Sequence, residues 1–272
     1  MKTVAFWYHL QIRFSEPVTH HRFTVRSFPV SDERQEILSV SQELLPNQFL
    51  ENGTDSFGNL CVYGNAEEPH ELFDVQVQGT ARLGMQPWTA AREAHQVGVF
   101  RTQTPLTQTG PSLLRLFSTL DLAACRGNRE KAEAIMHAVA AAMRYLPGRT
   151  TFETTAEEAL LGGAGVCQDY AHIMLALCRL AGVPCRYVVG LLIGEGASHA
   201  WVEIYDDCRW FGMDPTNLVP VTDSHVKLSH GRDYNDCLLN RGIFCGAARQ
   251  EQSVRVKVEE IMEPSVSEES GL

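Results

Sequence analysis

The feature that most restricts the fold is a helical segment, from Cys167 to Ala181, in which apolar residues dominate. Gly182 and Pro184 end it, because glycine favours helix C-termini and proline cannot continue a helix. A helix that is apolar over most of its surface is buried in the centre of a domain. Other elements must therefore cover it on several sides. Its apolar positions are Ala171, Met174, Leu175 and Cys178 in one stripe, widened by Ile173, Leu177 and Leu180.

The first hundred or so residues have a different pattern, in which short segments alternate between apolar and polar residues. The alternation is clear in residues 6–12, 21–26 and 72–79, and Gly, Pro and Asn separate the segments. Such a pattern is typical of a β-sandwich. We therefore predict an N-terminal β-sandwich domain over residues 1–104.

Residues 105–262 are predicted to form a second domain that mixes helices with an antiparallel sheet. Helical spacing is found in residues 128–145 and 155–161, and strand candidates are 185–193, 199–205, 209–214 and 254–258. The last of these strands is free to return to the N-terminal domain. The tail, residues 263–272, is polar and acidic and is predicted to be disordered. The fold class that follows is α+β.

Charge and cysteine content narrow the function. The formal net charge is -10, which argues against nucleic acid and membrane surfaces as partners because both are anionic. No apolar run approaches the roughly 20 residues that span a bilayer, and the first residues lack the pattern of a signal peptide. The eight cysteines include no CxxC pair. We expect a cytoplasmic protein with buried thiols, no disulfide framework, no metal and no cofactor.

Cys167 lies where the glycine-rich segment 162–165 enters the central helix. The N-terminus of a helix carries partial positive charge and free N–H groups, which favour a thiolate, the nucleophilic form of cysteine. Because Cys167 continues the apolar stripe, its sulfur is predicted to point toward whatever packs on the helix. A buried structural cysteine is the alternative interpretation, and helix position alone favours it.

His199 opens a predicted strand after the glycine-containing segment 194–197, which we expect to be a flexible loop. Asp214 ends the next strand, and Asp206-Asp207 between the two strands suggests a hairpin. A two-residue loop at these aspartates would pair Tyr205 with Cys208 and set His199 directly opposite Asp214, within reach of a hydrogen bond. A four-residue loop keeps that pairing, whereas a three-residue loop would put the two side chains on opposite faces. We predict an even loop.

These three residues have the types that nucleophilic catalysis needs: a thiol, a base, and a carboxylate that orients the base. The other candidates are weaker. His172 points away from Cys167, being five residues further along the helix, and Asp169 suits the helix dipole. No paired partner can be named for His20, His21, His225 or His230.

Three sequence blocks resemble the signature blocks of bacterial transglutaminase-like proteins, a superfamily with papain-like cores whose members are often described as cysteine proteases. The blocks run from Gly165 to His172, from Ser198 to Glu203 and from Asp214 to Asn217. Residues 180–188 and 231–234 also match, and the N-terminal half resembles the β domain that precedes the catalytic domain in this group. The resemblance implies a papain-like core of helices and an antiparallel sheet after residue 104.

The resemblance also implies roles. Cys167 would be the nucleophile, His199 the general base and acid, and Asp214 the orienting carboxylate. The acyl-enzyme would be a thioester, with the backbone N–H of Cys167 as one oxyanion donor. Gln168 and Tyr145 are candidates for the second donor, and Trp201 is a candidate for shaping the site.

Three functions stay open at this point. The first is hydrolysis of peptide or amide bonds in a peptide or protein substrate. The second is acyl transfer from glutamine side chains to amines, and the third is an inactive binding or scaffold protein with the same fold. The sequence does not decide the substrate or the oligomeric state.

Overall fold

The structure is a computed structural model that describes residues 1–91 and 94–261. The predicted disordered tail, residues 263–272, lies outside the described residues. None of the helices in the described ranges is long and apolar enough to cross a membrane.

Strands and helices alternate irregularly along the chain. The strands are β1 (Lys2–Val25), β2 (Gln35–Leu45), β3 (Phe49–Thr54), β4 (Leu60–Ala66), β5 (His70–Leu83), β6 (Thr89–Ala90), β7 (Arg144–Tyr145), β8 (Ala164–Gly165), β9 (Cys185–Leu192), β10 (Gly194–Gly196), β11 (His199–Asp206), β12 (Arg209–Asp214), β13 (Val219–Pro220), β14 (His225–Gly231), β15 (Asn240–Cys245) and β16 (Gln250–Glu260). The helices are α1 (Pro111–Ser118), α2 (Asn128–Ala142), α3 (Ala156–Gly162) and α4 (Cys167–Leu180), with 3-10 turns at Ala94–Arg101, Pro105–Thr107 and Tyr234–Cys237.

The N-terminal strands form an antiparallel sheet that is continuous through the long strand β1. The first half of β1 pairs with β5 and β16, and its second half pairs with β4 and β15. The alternating apolar residues of β1 are buried in one core, as period-two patterning requires. β1 connects the other strands into one eight-stranded sheet. The predicted β-sandwich, which would have two separate sheets, is therefore not confirmed.

Besides β15, two further segments from the later part of the chain belong to this sheet. β16 pairs with β1 from Val4 to Phe14, and the short strand β10 pairs with β16 on its other side. Segment 194–196, which we expected to be a flexible loop, is therefore an edge strand. The positive φ of Gly194 and Gly196 makes glycine the favoured residue at both ends of it.

The second sheet has the order β13-β12-β11-β9-β14, with β6 added at β12. The buried helix α4 packs on one face of it, against Ala200, Val202 and Ile204. α2 packs against α4 and also against β11 and β12, and α3 packs against α4. The predicted central helix and the three predicted strands around it are therefore present, with ends that differ by one residue or less.

The β11–β12 hairpin has a different register from the predicted one. Asp206 pairs with Arg209 and Tyr205 with Trp210, so the two-residue turn is Asp207-Cys208 and not Asp206-Asp207. Both turn residues have positive φ, 45° and 59°, as in the hairpin turns that match the strand twist. The predicted direct pairing of His199 with Asp214 is thus wrong by two residues. The loop is nonetheless even, so both side chains lie on the same face of the sheet.

Candidate active site

The turn into α4 is held by a buried carboxylate. Asp169 Oδ2 accepts hydrogen bonds from the backbone N–H of Val166, at 2.7 Å, and from the Thr150 hydroxyl, also at 2.7 Å. A Cβ at Gly165 would overlap this carboxylate, so the close approach requires glycine. Burial raises the pKa of Asp169, against the hydrogen bonds that lower it. The carboxylate therefore fixes the backbone immediately before Cys167.

Cys167 is the first residue of α4 and is partly buried against the core. Residues at the first positions of a helix have backbone N–H groups with no acceptor inside the helix, so those of Cys167 and Gln168 are open to a ligand. The next residues of the predicted stripe, Ala171, Met174 and Cys178, are fully buried. The helix therefore presents the thiol at its N-terminal end, next to the sheet.

Asp214 is completely buried at the end of β12 and accepts five hydrogen bonds. His199 Nε2 donates to its Oδ2 at 2.7 Å, Asn217 Nδ2 at 2.7 Å and His225 Nε2 at 3.2 Å. Its Oδ1 accepts from the backbone N–H groups of Thr216, at 2.9 Å, and Asn217, at 3.1 Å. Burial alone would raise the pKa of Asp214, but the hydrogen bonds from His199 and His225 and the charge of His199 hold it well below its usual range. The carboxylate is therefore ionised and its position is fixed.

His199 lies between Asp214 and Cys167. Burial lowers its pKa, yet its hydrogen bond to Asp214, the charge of that carboxylate and its interaction with Cys167 outweigh burial and raise the pKa to about 10. Since Nε2 is bound to Asp214, Nδ1 is the ring nitrogen left for the thiol side. A cationic imidazole next to a sulfur at a helix N-terminus is the arrangement that stabilises a thiolate. The structure thus brings together the three predicted site residues.

The remaining candidates are not equally well placed. Tyr145 pairs with Gly165 across β7 and β8, and its side chain is about half exposed. Its pKa is raised by burial and by the nearby Cys167. The Gln168 side-chain amide donates a hydrogen bond from Nε2 to the carbonyl of Phe152 at 3.2 Å, which uses one of its two hydrogens.

Trp201 is fully buried, so it cannot donate to a substrate directly. Its ring contacts those of His199 and His225, with centroid distances of 6.3 Å and 5.3 Å. In the described part of the chain its indole N–H has no hydrogen-bond partner. Trp201 therefore packs behind the histidines, which agrees with a role in shaping the site.

His225 is the site residue that the sequence did not identify. It begins β14, is 1% exposed and reaches the same Asp214 oxygen as His199. Its neighbourhood depends on how β14 pairs with β9, and no local pattern predicts that pairing. The nitrogens of His199 and His225 and the Asp214 oxygen lie within 4.8 Å of one another, a group that could hold a metal ion. The hydrogen bonds to Oδ2 account for these contacts without an ion.

The fold and the site define a class: an α+β protein with a thiol at a helix start, backed by a histidine and a carboxylate on a neighbouring sheet. The comparisons agree with this class. The profile of the transglutaminase-like superfamily matches residues 120–215, and that of the bacterial transglutaminase-like N-terminal region matches residues 7–82. The chain therefore belongs to the transglutaminase-like superfamily.

The relatives cover most of the chain. An uncharacterized protein of Mycobacterium leprae is 28% identical over 265 residues, 90% of this chain and 94% of its own length. An uncharacterized protein of Mycobacterium tuberculosis is 29% identical over 221 residues, 70% of each chain. The crystal structure of a "putative cysteine protease" from Cytophaga hutchinsonii has a TM-score of 0.77 and 22% identity, covering 97% of this chain and 93% of that one. At that identity the similarity establishes the fold.

Proposed function

We propose that this protein is a cysteine-nucleophile acyl-transfer enzyme that hydrolyses peptide or amide bonds. One observation carries the proposal: His199 donates to the buried, fully hydrogen-bonded carboxylate of Asp214 at 2.7 Å, and its pKa is raised by that carboxylate and by the helix-start thiol of Cys167. A buried carboxylate, an imidazole whose pKa it raises and a partly buried thiol form the working parts of a catalytic triad. Membership of the transglutaminase-like superfamily supports the same chemistry.

In the proposed reaction the Cys167 thiolate attacks the substrate carbonyl and forms a C–S bond. The backbone N–H of Cys167 donates to the developing oxyanion, and the Tyr145 hydroxyl and the Gln168 amide are the candidates for a second donor. His199 gives its proton to the leaving nitrogen as the C–N bond breaks, which leaves a thioester. Water then attacks the thioester and passes a proton to His199, and the C–S bond breaks to release the acid.

Asp214 would keep the imidazole in one orientation and stabilise its cation throughout. The substrate in this proposal is a peptide or protein, with no metal or cofactor taking part. An amine in place of water would give transamidation through the same thioester. The product of the second step therefore separates the two enzymatic functions.

The proposed location is the cytoplasm. All eight cysteines are free, and four of them, Cys61, Cys178, Cys185 and Cys237, are buried. Free thiols in these numbers suit a reducing compartment. The net charge of -10 supports the further proposal that nucleic acid and membrane surfaces are not partners.

The test is to incubate the protein with a mixture of glutamine-containing peptides, with and without a primary amine, and to identify the products by mass spectrometry. We expect cleavage or deamidation without the amine, and loss of both in Cys167→Ala. Cys245→Ala is the control, because Cys245 is also unpaired but exposed on β15. Amine adducts as the main product would identify a transamidase. The scaffold alternative would stand if no product exceeded that of Cys167→Ala and iodoacetamide alkylated Cys167 no faster than Cys245.

A further inference from the structure

His225 is a second histidine on the carboxylate that orients the first. Its Nε2 lies 3.2 Å from Asp214 Oδ2, and its Nδ1 lies 3.1 Å from the hydroxyl of Ser224. The residue is 1% exposed, so both contacts are made inside the protein. Its two ring nitrogens therefore both have protein partners.

The chemistry of these partners selects the tautomer. An ionised carboxylate only accepts hydrogen bonds, so His225 Nε2 must carry a hydrogen. In the neutral ring Nδ1 is then an acceptor, and the Ser224 hydroxyl can donate to it. Each nitrogen thus has a partner that suits the neutral form protonated at Nε2.

The surroundings keep His225 neutral while His199 becomes charged. Burial lowers the pKa of His225 below its ordinary value, and the charges of His199 and Arg34 lower it further, against the opposing effect of Asp214. His199 shares the same carboxylate but also contacts Cys167, and its pKa rises to about 10. The facing groups are Ser224 beside it, Asp214 on β12, His199 and Trp201 on β11, and Arg34 before β2. Only one of the two histidines on Asp214 is therefore a cation.

The hydrogen bond from the neutral His225 ring helps to fix the position of Asp214 Oδ2. Without His225, Oδ2 would be held by Asn217 and by His199, which is the ring it has to orient. The His225 ring packs against Trp201 at 5.3 Å, edge to face, and Trp201 also contacts His199. The donor itself is thus held firmly by packing.

We propose that His225 is a positioning residue that donates from Nε2 to Asp214 and holds the carboxylate in the orientation that His199 requires. This inference rests on the proposed function, since it assigns His225 to the same site. His225 acts through Asp214 and does not contact the Cys167 thiol.

Two substitutions separate donation from packing. His225→Gln keeps an amide N–H near the position of Nε2, whereas His225→Met has a similar bulk and no donor. We measure the rate of Cys167 alkylation by iodoacetamide from pH 5 to 10, and the downfield proton NMR signal of the His199–Asp214 hydrogen bond. His225→Met should slow alkylation about tenfold or more, as expected for a lost hydrogen bond to a charged group. The downfield signal should shift or broaden in this variant, and His225→Gln should stay near wild type on both measures.

A third variant covers the case in which His225→Met fails to fold. Ser224→Ala leaves the partly exposed turn intact and removes only the donor to Nδ1, so alkylation should slow by a few fold. The inference is overturned if Met and Gln at position 225 slow alkylation equally, which would indicate packing alone, or if both leave it unchanged. With an unfolded Met variant, an unchanged rate in Ser224→Ala overturns it. If wild-type Cys167 is unreactive the proposed function fails, but the NMR signal still tests the positioning.

Discussion

At the scale of single residues, the environment decides what each histidine does. His172 lies within α4, is completely buried and accepts a hydrogen bond from the backbone N–H of Tyr234 at 3.2 Å. Burial, with the charge of Arg179, lowers its pKa to about 3. His199 is also mostly buried, but its interactions with Asp214 and Cys167 raise its pKa to about 10. One histidine is thus a neutral structural group, and the other is a cation at neutral pH.

The raised pKa of His199 predicts a pH dependence of stability. Because the folded pKa, about 10, is above the unfolded value, about 6.5, His199 contributes stability that is fully present below pH 6.5. The contribution is lost as the pH rises through 10. Asp214→Asn removes the charge that raises this pKa, so its thermal midpoint should fall less between pH 7 and pH 10 than that of wild type.

Thermal unfolding at several pH values measures this difference, and each variant is compared with itself to remove any constant loss. The lowered pKa of Asp214 acts only in acid and does not contribute in this window. His199→Gln is the control and should show the same flattened dependence. Equal slopes for wild type and both variants would contradict a raised His199 pKa.

At the scale of elements, the site depends on how two segments enter it. The turn before α4 is shaped by Asp169, which accepts hydrogen bonds from Val166 and Thr150. Its carboxylate lies so close to position 165 that only glycine fits there. The start of β11 is held by β10, which pairs with β16 and ends three residues before His199. Cysteine and histidine are therefore each preceded by a segment that its own hydrogen bonds hold in place.

Replacing the glycine tests the first of these segments. In Gly165→Ala the added methyl group meets the Asp169 carboxylate, and overpacking of this kind costs about 1–3 kcal/mol. We expect a lower thermal midpoint and slower alkylation of Cys167. Gly162→Ala is the matched control, because a Cβ there has no neighbour within 4 Å. Equal midpoints for the two variants would contradict the close contact.

At the scale of the whole molecule, the N-terminal sheet and the second sheet are joined by side-chain amides. Gln35 donates to the carbonyl of Lys227 at 2.9 Å and accepts from its N–H at 2.8 Å. Asn59 makes the same pair of bonds to His230, at 2.7 Å and 2.8 Å. Both targets are on the edge strand β14, so the two amides satisfy backbone groups that a further strand would otherwise bind.

We predict that Gln35→Ala destabilises the entire protein. The substitution leaves a buried backbone N–H and C=O of β14 unpaired, which costs about 1–3 kcal/mol. Urea unfolding should remain a single transition with a lower midpoint, and hydrogen exchange should become faster in β14 and in β1 together. Gln42→Ala is the control, because Gln42 is exposed on β2. Faster exchange in β14 alone would mean that the two sheets unfold separately.

The division of the chain near residue 104 stays a prediction, and the strand pairings limit how far two such regions could be independent. β10, β15 and β16 all follow that point, yet each pairs in the sheet that β1 organises. Any split there would therefore remove strands from the first sheet. This agrees with the alternative, left open from the sequence, that the last strand returns to the N-terminal region.

The sequence by itself determined the buried helix, the thiol at its start and the shared face of His199 and Asp214, because these depend on periodicity within a few residues. It did not determine the hairpin register, since two aspartates suggested a turn one residue too early. Only the tertiary structure decided that Asp214 has a second histidine, that segment 194–196 is a strand and that the strands of the first sheet are continuous. These features arise from contacts between residues far apart in the chain, and local pattern carries no information about which distant strands will pair.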